Sequence, residues 1–125
     1  MKRIIFLIGS ICLSLCAPAQ QHAWKEMESF HELVGAVLHP VEMGNLRPVK
    51  EKSAALLAGA MQWQASAIPP DCNYPALKTD LVDLVKHCKD LDEAVRMKRS
   101  NDQLKKLAIG IHNQYHRMAD AVKKA

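Results

Sequence analysis

Leu77, Leu81, Leu84, Val85, Cys88, Leu91 and Val95 recur at spacings of three and four, with Lys, Thr, Asp, His and Glu filling much of the space between them. That is the period of one face of an α-helix. A helix with a single apolar stripe must bury it against another element, so the stripe already demands partners. The same period occurs three more times. Trp24, Met27, His31, Val34 and Leu38 mark a helix from about His22 to Leu38. Val49, Leu56, Leu57, Ala60 and Met61 mark a second, from Pro48 to about Ala67. Leu104, Ala108, Ile111, Tyr115, Met118 and Val122 mark a last one, opened by Ser100 and Gln103 as a capping box. The breaks are proline-rich: "HPVEMGNLRP" ends the first segment and "IPPDCNYP" the second, while Pro75 suits the first turn of the third. No stretch alternates as a half-buried strand does. Four helices joined by short connections predict an all-α fold, an up-down-up-down four-helix bundle.

The chain before the first stripe has a different composition. Lys2 and Arg3 precede an apolar run from Ile4 to Leu15, and "APAQ" sets Ala17 and Ala19 at the small-residue positions of a cleavage site. Residues 1–19 are read as a cleaved secretory signal and 20–125 as the bundle. The apolar run is about twelve residues, short of the roughly 18–20 that span a bilayer, so no stable membrane insertion is expected. The expected location is periplasmic or secreted. An alternative is lipidation at Cys16, because "LSLC" resembles a bacterial lipoprotein signal, although Leu15 is bulky where that signal takes a small residue.

Charge and cysteine use narrow the classes further. Of the 17 Lys and Arg residues, Lys2 and Arg3 leave with the signal, and against 13 Asp and Glu the mature net charge falls from +4 to +2. The remaining charges are interspersed and aromatic residues are few, which gives nucleic-acid binding no support. Cys72 and Cys88 remain after the signal. A helix starting near Pro75 carries Cys88 roughly 20 Å along its axis, beyond the 4.4–6.8 Å between Cα atoms that a disulfide spans. The two are expected to stay unpaired, with Cys88 a small core residue.

"IHNQYHRM" places His112 and His116 one turn apart on the last helix. In the expected topology the first and last helices are antiparallel, and facing residue numbers sum to about 140, within about one turn. His112 and His116 then face the level of Met27 and His31. His31 sits on the apolar seam of its helix, where an unpaired buried imidazole costs on the order of 1–3 kcal/mol, so it needs a partner or a ligand. Either it bonds a neighbour such as Tyr115 while the other two are solvated, or His31, His112 and His116 hold one metal ion, with Met27 in or next to the shell. Three imidazoles supply three of four tetrahedral zinc positions. A thioether in the set would favour copper. His39 and Glu42, in "LHPVE", form a second candidate pair, about 12 Å along the axis from His31 and therefore on a separate site.

"KEMESFHELV", "SAALLAGAMQWQASAIPP" and "NQYHRM" resemble the soluble periplasmic four-helix-bundle cytochromes of the b type. That resemblance implies a non-covalent haem b, with Met27 and His116 as axial ligands, in an electron-transfer protein. The extra His31 and His112 depart from the pattern and suit a bare metal ion at least as well. No C-x-x-C-H is present, so covalent haem is excluded. "WKEMESFH", "LHPVE" and "HNQYH" together also look like a group of small, uncharacterised secreted bacterial proteins, which implies the bundle and no activity. Three functions are therefore expected to compete: a metal-binding protein using zinc or copper, a haem carrier, and a structural or interaction bundle whose faces meet an envelope protein or a second copy in a homodimer. No nucleophile has a positioned base. Glu-x-x-His, which di-iron bundles carry twice, occurs once, from Glu28 to His31, so the chain is read as a binding protein and not an enzyme.

Overall fold

The apolar stripes fold into helices that close on one another. The computed structural model describes residues 24–125, so the signal, Cys16 and the first turn expected from His22 lie outside the described residues. The first rod, α1, begins with Lys25–Leu33, widens into a π-helical turn at Val34–Leu38 and ends with the α-helical turn His39–Glu42. Next come α2 (Arg47–Ala65), a 3₁₀ turn (Pro70–Cys72), α3 (Leu77–Arg96) and α4 (Asn101–Lys124). Among the described residues there is no strand. In the chain α2 packs on α1 and on α3, α3 on α4, and α4 on the π-helical and closing turns of α1. The molecule is an all-α four-helix bundle.

Local chemistry sets the helix ends. The Ser100 hydroxyl accepts a hydrogen bond from the Gln103 amide at 3.2 Å, capping α4 as its sequence predicts. α1 and α3 end in the same way. A left-handed residue, Gly44 (φ 79°) or Lys98 (φ 54°), turns the chain so that the next amide bonds back to a carbonyl five residues earlier. These bonds are Asn45 N–H to Pro40 O and Arg99 N–H to Ala94 O, each 3.0 Å. Gly44 suits this position because it has no Cβ to clash there.

Two expectations about α1 are corrected. The helix does not stop at Leu38. It runs through Pro40 to Glu42, and the wide π turn lies immediately before the proline. A proline ring inside a regular helix collides with the carbonyl four residues back, and a widened turn relieves that collision. The second correction concerns the seam. Its buried residues are Trp24, Phe30, Val34, Val37, Leu38 and Val41, with Phe30 at 0% exposure. Met27 is only partly buried against this core, and His31 is exposed. Stripes through 27–31–34–38 and 30–34–37–41 both keep helical spacing, and the larger apolar area of Phe30 decides between them.

In α2 the buried set is Val49, Ser53, Leu56, Ala60 and Trp63, whereas Met61 is 48% exposed. α3 buries its expected stripe except for Val95, which is partly buried, and all six expected residues of α4 are buried. Cys72 and Cys88 are both buried and free, in line with the helix-length argument. One polar link crosses the core. The Ser53 hydroxyl donates to Asp92 at 2.8 Å, and Arg96 lies 3.4 Å from the other carboxylate oxygen. The carboxylate thus sits between a hydroxyl and a cation, which offsets its desolvation.

The seam assignment is tested by truncating each rival. Phe30→Ala is expected to destabilise by about 3–5 kcal/mol, and His31→Ala by no more than about 0.5 kcal/mol, read from urea midpoints. Equal losses would contradict the observed seam.

Candidate metal centre

His39 and Glu42 lie one turn apart on the closing turn of α1, and His112 and His116 one turn apart on α4. The packing of α4 against that closing turn brings the two pairs together. One ligand atom from each of His39, His112 and His116 lies within 4.8 Å of the others. The Nε2 atoms of His112 and His116 are 3.1 Å apart, and the His39 and His112 ring centres 5.0 Å apart. Nitrogens bound to one tetrahedral zinc are about 3.4 Å apart, given Zn–N distances of 2.0–2.1 Å. Closure on an ion therefore needs about an ångström of side-chain movement, and both His39 and His116 are exposed.

His112 is the fixed member, with its side chain only 14% exposed. Its Nδ1 faces Glu42 Oε1 at 3.6 Å, an electrostatic contact longer than a hydrogen bond. A carboxylate on that side favours a proton on Nδ1 and leaves Nε2 as the ligand atom. This is the outer-shell arrangement that orients metal-bound histidines. Burial pushes the His112 pKa below its ordinary 6.5, and the neighbouring His116 and His39 add to that, outweighing the opposing pull of Glu42. A neutral imidazole is the form that binds metal.

The expected set of His31, His112, His116 and Met27 is thus only partly brought together. His112 and His116 share a cluster, but His39 supplies the third ring. His112 meets His39 about three turns further along α1 than the level near position 28. The level matching took Leu38 as the end of the first helix; the end lies at Glu42, which accounts for about one of those three turns. His39 and Glu42 are accordingly not a separate pair at the far end of the bundle. His31 is exposed and stacks on Tyr115, with ring centres 5.5 Å apart and planes 11° apart, a ring contact in place of the hydrogen bond expected of a buried imidazole. Met27 lines a cleft of about 200 Å³ with Trp24, Glu28, His31 and Tyr115. His116 does not line that cleft, which is also below the roughly 300–1,000 Å³ usual for ligand pockets. Met27 and His116 therefore do not line one cleft in this arrangement. His39 was singled out by "LHPVE", and the signal that would have joined it to His112 and His116 was Pro40, which is acceptable in the first turn of a new helical segment and lets the rod continue.

Among the described residues no helix is long and apolar enough to cross a membrane. No family model, curated protein or solved structure matches the chain.

The lowered pKa of His112 has a testable sign. Between its folded value and 6.5 the unfolded state binds more protons than the folded state, so stability rises with pH across that window. Without metal, the urea midpoint is expected to fall as pH drops below about 6.5. His112→Gln, which cannot titrate, should flatten that slope. Parallel profiles for wild type and variant would show that His112 is not the source.

Proposed function

We propose that the protein binds one divalent transition-metal ion between α1 and α4, through His39, His112 and His116, with Glu42 orienting His112. The observation that carries this reading is the convergence of three imidazole nitrogens within 4.8 Å from two helices far apart in sequence. The donor set is all nitrogen, with a carboxylate behind it. That suits zinc, copper or nickel by ligand type, and zinc by the tetrahedral geometry of three histidines plus an open position. The thioether argument for copper lapses, because Met27 lies in another cleft. The open fourth position and the exposed rings fit a site that takes up and releases its ion, so the proposed role is metal capture or delivery in an extracytoplasmic compartment. A bound ion would join α4 to α1 at a point where the Glu42–His112 contact and ring packing already bring them together.

Binding confined to the folded state stabilises by about 2.7 kcal/mol at a metal concentration a hundredfold above Kd. Zinc is expected to raise the melting midpoint of the wild type. Replacing His39, His112 or His116 by Ala should abolish the rise, whereas His31→Ala and Met27→Ala should keep it. Glu42→Gln is expected to weaken affinity about 10–100-fold, as loss of an outer-shell partner does. If zinc, copper and nickel leave the wild-type midpoint unmoved, or if His31→Ala abolishes the shift while His39→Ala does not, the assignment is wrong.

A further inference from the structure

The face of α4 that looks toward α3 carries a groove of about 890 Å³, against about 200 and 400 Å³ for two other clefts. Its volume falls within the roughly 300–1,000 Å³ of small-molecule sites. Ala94, Leu107, Gly110 and Ile111 contribute its apolar surface. Arg99, Lys106 and Arg117 also line it, and no Asp or Glu does. Among the described residues none of these three cations is paired with a carboxylate, so their charges are available to an anion.

Two further features point to a ligand. The first is Gly110, in the middle of α4. A Cβ built there would meet nothing within 4 Å. Glycine weakens a helix interior relative to alanine, and no packing contact within the described chain requires it here. Its effect is to keep the groove open. The second is a fixed polar wall. Gln114, 5% exposed, donates from Nε2 to the Asp80 carbonyl at 3.2 Å, so its Oε1 is the atom that faces His87 Nδ1 at 2.6 Å. An amide oxygen only accepts, so His87 Nδ1 carries the proton. That bond holds the ring against the groove and leaves Nε2 as its remaining polar atom.

We infer that this groove binds a small anionic amphiphile, a molecule with an apolar body and an acidic head such as a carboxylate. The apolar strip along Leu107, Gly110 and Ile111 takes the body, and the unpaired cations take the head. Residues 110 and 112 lie about 200° apart around an α-helix, so this site is on the opposite side of α4 from the histidine cluster and does not depend on it.

The probe is dodecanoate below its micellar concentration, followed by calorimetry with the full mature chain, with dodecyltrimethylammonium as the cationic control and anionic phospholipid vesicles as a third arm. Saturable one-to-one binding of dodecanoate, at least tenfold tighter than the cation, is expected. Gly110→Leu should fill the groove, raise the melting midpoint through its better helix propensity, and weaken binding at least tenfold. That variant stays folded, so loss of binding cannot be ascribed to unfolding. Lys106→Glu and Arg99→Glu should each weaken dodecanoate severalfold, and His112→Ala should leave it unchanged. Equal binding of anion and cation, undiminished binding by Gly110→Leu, or binding to vesicles with none to monomeric dodecanoate would each overturn the inference.

Discussion

The bundle is organised around Trp63. Its indole is fully buried, with Trp24 at 5.7 Å, Phe30 at 5.6 Å and Tyr115 at 6.0 Å between ring centres. The chain has only two Trp, two Tyr and two Phe, so this single cluster takes four of its six aromatic rings. It ties α1, α2 and α4 together at one end. Such rings bury roughly 150–250 Å² each, and their edge-to-face and tilted contacts add to the area term. The Trp24 indole N–H donates to the Ser66 hydroxyl at 2.9 Å, whereas the Trp63 N–H is buried with no partner among the described residues. Leaving that donor unmade costs about 1–3 kcal/mol. The packing gained by centring a large ring among three others outweighs it, since burying an aromatic side chain is worth about as much again or more.

The aromatic cluster fixes one end of the α1–α4 seam, and the π turn fixes what the other end presents. A π turn takes up one extra residue, which rotates everything after it by about 100° relative to an uninterrupted helix. Pro40 supplies the reason for a wide turn at that place, and His39 and Glu42 are the residues whose direction it sets. The histidine cluster is therefore a consequence of how α1 accommodates a proline. Its members reach α4 only because the helix continues past the point where that proline would ordinarily end it.

This explains how much was legible in the sequence. Long stripes with clean spacing read correctly: α4 buries all six expected residues, and α3 loses only Val95 to partial exposure. The Ser100 cap and the unpaired cysteines followed from rules that depend on neighbours in sequence. The first helix was harder, because two stripes cross at Val34 and periodicity alone does not rank Phe30 above His31. The site inherited that difficulty. Pairing levels between helices far apart in sequence carries any error in a helix end into the site, and placing the end at Leu38 instead of Glu42 accounts for about one of the three turns by which the expected partner of His112 missed His39. His87, Gln114 and the groove left no mark in the sequence. A lone His and a lone Gln on different helices acquire meaning only when α3 and α4 are brought together.

α4 has three chemically distinct faces at successive azimuths. Leu104, Ala108, Ile111, Tyr115, Met118 and Val122 face the core, His112 and His116 flank them on the α1 side, and Leu107, Gly110 and Gln114 flank them on the α3 side. The helix repeats these offsets because residues one before and one after a core position lie about 100° to either side of it. A ligand on either flank would therefore join α4 to one neighbour without touching the aromatic cluster that positions the helix. Sites on separate flanks of one rigid rod can be altered independently as long as the core stripe is intact. Ligands bound at both would nevertheless stabilise the same docked state of α4, so by linkage each would oppose its local opening.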